Sequence, residues 1–286
     1  MYNNKIKTFT VSPGQGKKLF GVPEIYNAHN YKSEYHFYTF TDEHGDEYLF
    51  KDCVPDKLIG EVVHSKLGQA LDIPVARNAA AILENKGKQF HGIISKSFLK
   101  DAEQFRPANL YFERLRHVPY FEVYFNYFQD VDLRKLVKKL GKFFPNDIEQ
   151  IGQGLGENFL IHKIANTVDV SDLHNIGFLL SDDAVRVAPA HDFSPVKIYG
   201  TNAAKPTLIH KENIGYIRNN YKELATKVLD NIVTIRNSQD FHDICDVTPY
   251  APLMPKDYNI QNLTIYSERI HRSLGKSLDA VTNSFN

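Results

Sequence analysis

Apolar positions change their period about a third of the way along the chain. Over residues 5–11 they alternate with polar ones and include β-branched side chains, which predicts a strand; the Ser12-Pro-Gly-Gln-Gly16 run ends it. Residues 34–41 are aromatic and β-branched, residues 42–46 read as a turn, and residues 47–53 return as the second arm of a hairpin centred on Tyr48-Leu-Phe-Lys51. Between residues 56 and 71 the spacing becomes helical, through Leu58, Ile59, Val62, Val63, Leu67, Ala70 and Leu71, and Asp72-Ile-Pro-Val75 closes it. Two apolar runs, 78–83 and 92–98, are separated by a polar turn at 84–88 and read as another hairpin. Beyond residue 100 helical periodicity dominates, at 122–128, 130–140 and 146–168. A short β-like piece follows at 176–180 and 185–188, and helices resume over 211–236 and 260–283. The expected fold class is α+β, with a small β-rich lobe over 1–100, holding one helix, and a larger helical lobe over 101–286.

Composition narrows the function classes. A length of 286 residues suits one large domain or two lobes around a cleft. Lys+Arg and Asp+Glu are equal at 34 each, which argues against a general nucleic-acid binder, since that would carry a basic excess. Two cysteines, Cys53 and Cys245, are too few for a disulfide framework and too far apart for a structural zinc site; both read as small buried hydrophobes suited to a reducing compartment. The polar start lacks the apolar core of a signal peptide, and no run of 18 apolar residues exists. The expected location is therefore the cytoplasm, with delivery into a host cell as a secreted effector also open and no membrane association expected.

Candidate chemistry concentrates between residues 166 and 194. Asp169, Asp172, His174 and Asn175 lie on one predicted loop, and the β-like piece after it brings Asp192 back. Phosphoryl transfer needs a carboxylate to orient the attacking hydroxyl and oxygen ligands to hold Mg²⁺ against the phosphates of ATP, and Asp and Asn supply both. The competing account is that Asp and Asn simply favour turns. Lys51 on its strand and Glu61 ten residues later on a helix are suited to an ion pair that steadies a phosphate-binding lysine; each alone is equally at home as a solvated surface residue. Gly14-Gln-Gly-Lys-Lys18 is glycine-rich and basic, as an anion-binding loop can be, and Asn27-Ala-His29-Asn-Tyr-Lys32-Ser33 lies directly before the second strand. Neither has the spacing of a Walker A loop. The aromatic stretch over 111–128 reads as core or lobe interface, and Lys135-Leu-Val-Lys-Lys139 as a solvated helix face or a docking patch for an acidic partner.

These motifs resemble those of HipA-like kinases, relatives of the phosphoinositide kinases. In that family a loop of the form Asp-x-His-x-x-Asn is followed by a hairpin and a Pro-x-x-Asp metal ligand. Asp172-Leu-His174 matches its start, Asn175-Ile-Gly-Phe its end, and Pro189-Ala-His-Asp192-Phe-Ser the metal ligand. Leu71-Asp-Ile-Pro-Val75 resembles the segment that closes the helix after the lysine strand. One departure concerns spacing: the family's Asp and Asn are five apart, whereas Asp172 and Asn175 are three apart and Asp169 is six before Asn175.

The resemblance implies a two-lobed protein-kinase-like fold and an ATP- and Mg²⁺-dependent transfer of the γ-phosphate to a Ser or Thr of a protein substrate. It implies Asp172, or Asp169 in its place, as the catalytic carboxylate, with His174 at phosphate or substrate or bracing the loop. Asn175 and Asp192 become the metal ligands and Lys51 and Glu61 the phosphate-binding pair. The loop of Asn27, His29, Lys32 and Ser33 is preferred on position for covering the phosphates. An antitoxin or other regulatory protein is an implied partner. A pseudokinase acting as a binding module, or a transferase acting on a lipid or small molecule, are the alternatives.

Overall fold

A computed structural model describes residues 7–10, 17–18, 37–41, 46–85, 87–100, 103–107, 132–165, 176–191, 211–254 and 260–285. The first part is a six-stranded sheet with one helix. Its strands are β1 (Lys7–Thr10), β2 (Lys17–Lys18), β3 (Phe37–Thr41), β4 (Glu47–Asp52), β5 (Asn78–Asn85) and β6 (Lys88–Lys96), in the order β1-β5-β6-β4-β3-β2. Only β1 and β5 run parallel; the other pairs are antiparallel. The predicted hairpins are present, with β6 starting four residues earlier than the apolar run suggested.

Helix α1 (Pro55–Ala70) starts with Pro55 at its first turn, where a missing N–H costs nothing, and Asp56 there complements the helix dipole. It ends at Leu71, after which Asp72 adopts a left-handed φ of 53° and the chain turns into Ile73-Pro74-Val75. Residues 58–68 are all buried, because α1 is covered by β5 and β6 on one side and by two helices of the second part on the other.

The second part is helical: α2 (Leu133–Leu140), α3 (Ile148–Ala165), α4 (Lys211–Asn220), α5 (Lys222–Arg236), α6 (Gln239–Cys245), a 3₁₀ turn (Thr248–Leu253) and α7 (Ile260–Phe285). The side chain of Asp132 caps α2 by accepting from the Lys135 N–H. The single helix expected over 211–236 is two. Tyr221 leaves helical geometry (φ −129°, ψ 60°) at the junction, and its ring packs against α3, where a Cβ on Gly152 would come within 1.8 Å of its hydroxyl. The helix expected over 122–128 lies outside the described residues.

A second sheet, β7-β8-β9, contains the expected β-like piece as β8 (Gly177–Leu180) and β9 (Val185–Val187). Its third strand, β7 (Gln104–Pro107), was not legible in the sequence; it pairs antiparallel with β8. The main core joins α1 to the helices and to Phe178 of β8, while a small cluster of Phe50, Ala81, Leu83 and Ile94 packs on the other face of the six-stranded sheet.

Candidate functional site

The strand register fixes where Lys51 points. Residues directly opposite across an antiparallel pair share a face. Phe50 pairs with Ile94, and both belong to the small cluster on the outer face. Lys51 pairs with Ile93, which pairs in turn with Ala80, and both of those belong to the α1-side core. Lys51 therefore faces α1. β4 and β6 come very close here: a Cβ on Gly92 would lie 2.1 Å from the Lys51 carbonyl oxygen, so only glycine fits.

Glu61 waits on that side. It is 1% exposed, and a carboxylate so buried must be hydrogen-bonded or paired. Asn78 donates from Nδ2 to Glu61 Oε2 at 2.9 Å, and Lys57 Nζ stands 3.5 Å from Oε1. The charges of Lys51 and Glu61 both reach the Cys53 thiol, between strand and helix, in opposite senses; burial dominates and pushes that thiol up to about 12. Strand and helix thus bring both predicted residues within electrostatic reach of Cys53.

The other candidates, Asn27, His29, Lys32, Ser33, Asp169, Asp172, His174, Asn175 and Asp192, lie outside the described residues. What flanks them is described. The connection holding residues 27–33 joins the antiparallel neighbours β2 and β3, and Phe37, the first residue of β3, is directly opposite Lys51. Helix α3 ends at Ala165, four residues before Asp169, and the Ala165 backbone faces His64 of α1. β8 begins two residues after Asn175. After β9, Ala190 forms a parallel bridge with Val75, and Asp192 follows two residues later.

Three further groups tie this frame together. Arg186 of β9 makes a two-pronged contact with Glu103, Nε to Oε1 at 2.9 Å and Nη2 to Oε2 at 2.8 Å, and Nη2 also reaches the Phe98 carbonyl at 3.4 Å. The guanidinium holds the Glu103 carboxyl below the usual range. His191, next to Asp192, packs against Phe98 and Phe105 at 5.7 and 5.4 Å between ring centroids. Asn158 of α3 donates to the Ala188 carbonyl at 3.2 Å. The segment leading to Asp192 is thereby held from α1, from α3 and from the connection between the lobes. Sequence reasoning singled out none of Asn78, Glu103 or Arg186; Arg186 read only as a strand position, and Asn78 as a strand start.

No protein-family model matches the chain, and no curated protein matches its sequence at a significant level. Solved structures do. The Helicobacter pylori proinflammatory kinase CtkA superposes with a TM-score of 0.56 over 98% of this chain and 97% of that one, at 13% identity. This is a kinase fold. The α+β, two-part architecture expected from the sequence is the one observed. HipA of Shewanella oneidensis, solved with HipB and operator DNA, matches with a TM-score of 0.49 over 89% of this chain and 64% of that one, at 13% identity. Hydra Fam20, solved with sugar, matches at 0.45 over 88% and 82%, at 11% identity. No helix among the described residues is long and apolar enough to cross a membrane.

Proposed function

We propose that the protein is an ATP- and Mg²⁺-dependent kinase that transfers the γ-phosphate to a Ser or Thr of a protein substrate. The observation that carries this reading is the placement of Lys51 on the α1 face of β4, with the buried carboxylate of Glu61 on that helix. A lysine facing a fixed carboxylate remains charged and aimed, which is what contact with ATP phosphates requires. When bound, Mg²⁺ would supply charge neutralisation at the phosphates, with Asn175 and Asp192 as oxygen donors. In this reading Asp172, or Asp169, accepts the hydrogen bond of the attacking hydroxyl and orients it. His174 contacts phosphate or braces the loop. The chain with Asn27, His29, Lys32 and Ser33 covers the phosphates, and the register of Phe37 opposite Lys51 supports its choice over Gly14-Gln-Gly16. A regulatory protein partner belongs to the same proposal.

A second reading, a pseudokinase that binds nucleotide to regulate a partner, is favoured by one feature: Asp172 and Asn175 are only three residues apart. Calorimetry of ATP with and without Mg²⁺ on wild type, Lys51→Met and Asp192→Ala tests the nucleotide site. Mg²⁺-dependent binding lost in both variants supports it, and no binding by wild type overturns it. Phosphate incorporation into protein, abolished by Asp192→Ala, separates the kinase from the pseudokinase.

A further inference from the structure

We propose that Asn78 is the positioning residue for the nucleotide site, holding the Glu61 carboxylate in the place from which it steadies Lys51. This rests on the reading of Lys51 and Glu61 given above. Asn78 opens β5 and lies two residues before Ala80, on the same α1-facing side of the sheet as Lys51. It grips α1 twice, one helical turn apart. Its side-chain amide donates to Glu61 Oε2 at 2.9 Å. Its backbone N–H donates to Ser65 Oγ at 2.9 Å, and Ser65 Oγ donates onward to the Ala76 carbonyl at 2.8 Å. Gln69 Nε2 closes the set on the Ser65 carbonyl and hydroxyl oxygens, at 3.1 and 3.2 Å.

The chemistry of the donor matters. An amide gives a carboxylate a hydrogen bond without giving it a counter-charge. Lys or Arg at position 78 would neutralise Glu61 and compete with Lys51. Asn fixes the carboxylate without adding a counter-charge of its own. Lys57, on the helix itself, stands 3.5 Å from the other oxygen. Desolvation pushes the pKa of the half-buried Cys53 thiol beside β4 up to about 12, so it stays protonated, and the thiol also feels the charges of Lys51, Glu61, Lys57 and Asp52. His64, one turn further along α1, is held near 3 by burial, and by the charge of His162 from α3, so it stays neutral across the neutral range.

The test is Mg²⁺-ATP binding by calorimetry on wild type, Asn78→Ala and Asn78→Asp, at pH 8 and pH 6, with melting temperatures recorded alongside. Each affinity is read as a ratio to wild type at the same pH. Asn78→Ala is expected to weaken binding about tenfold, the scale of one lost bond to a charged group. Asn78→Asp is near-isosteric and keeps the backbone bond to Ser65, so it carries the test even where Asn78→Ala folds poorly. At pH 8 its two adjacent carboxylates repel and binding falls. At pH 6 the introduced carboxyl takes up a proton, becomes a donor as the amide was, and binding recovers. A lowered melting temperature with wild-type affinity, or an Asn78→Asp defect indifferent to pH, overturns the positioning role alone. Failure of wild type to bind nucleotide overturns the kinase reading and this role with it.

Discussion

Ala76 and Ala190, far apart in sequence, are hydrogen-bonded neighbours. The Ala76 N–H donates to the Ala190 carbonyl at 2.8 Å, and the Ala190 N–H donates to the Pro74 carbonyl at 3.0 Å. This short parallel contact ties the chain leaving α1 to the chain about to reach Asp192. It depends on Val75 lying flat over Gly68, where a Cβ would come within 2.3 Å of Val75 Cγ1.

Gly68→Ala is therefore expected to overpack this point and destabilise by about 1–3 kcal/mol. Val75→Ala removes the clashing methyls, so the double variant should be more stable than the two single costs added together. Urea unfolding of the four proteins checks it, and simple additivity would show that the two sites are not in steric conflict.

Removing either partner of the Arg186–Glu103 contact is expected to cost about 1–2 kcal/mol, since charge-assisted, two-pronged bonds are stronger than neutral ones. Because the Glu103 carboxyl is lowered in the folded state, its contribution is present above its unfolded pKa, near 4.3, and is lost as pH falls through the lower folded value. Glu103→Gln should thus converge on wild-type stability in acid and diverge from it at neutrality.

Lys66 shifts stability in the same direction with pH, but in the alkaline range. It is 5% exposed, reaches the Asp243 carbonyl at 3.4 Å and lies over the Tyr250 ring, and burial lowers its pKa to about 8. The unfolded chain holds this proton up to about 10.4, so burying the charged lysine weakens the fold below pH 8 and the penalty fades between pH 8 and 10.4. Lys66→Met is expected to raise stability by about 2–3 kcal/mol at pH 7 and by much less at pH 10. Thermal unfolding at both values would show it.

His64 predicts a loss of stability in acid. Its folded pKa is about 3, so between pH 6.5 and 3 the unfolded state binds the extra proton and stability falls as pH falls. His64→Gln should flatten that slope by up to about 1.4 kcal/mol per pH unit. A wild-type slope retained in the variant would assign the acid sensitivity to other groups.

Local chemistry explains what could be read in advance. Strands β3 to β6 and helix α1 announce themselves by alternation, by a helical period and by turn residues at 42–46 and 84–88. The strand carrying Lys51 and the helix carrying Glu61 were legible because each shows its own period and the two are joined by a short connection. β7 was not, because four residues carry too little period and its partner β8 lies at least seventy residues away. The break at Tyr221 carries no Gly or Pro signal, and the residue's close neighbour Gly152 lies on a different helix. Asn78 and Arg186 matter through partners that only the folded chain brings to them, Glu61 in one case and Glu103 in the other.

The burial of α1 over residues 58–68 has a mechanical meaning. A helix acts as a lever only when one flank is free to roll through solvent. Here the helix is an axle seated in its bearing, with sheet on one side and helices on the other. Tilting it would open a gap lined by Val63, Leu67, His64 and Lys66 at once. In the proposed kinase, swinging Glu61 away from Lys51 would dismantle this core first, so control of the pair would act through other segments and leave this helix where it is.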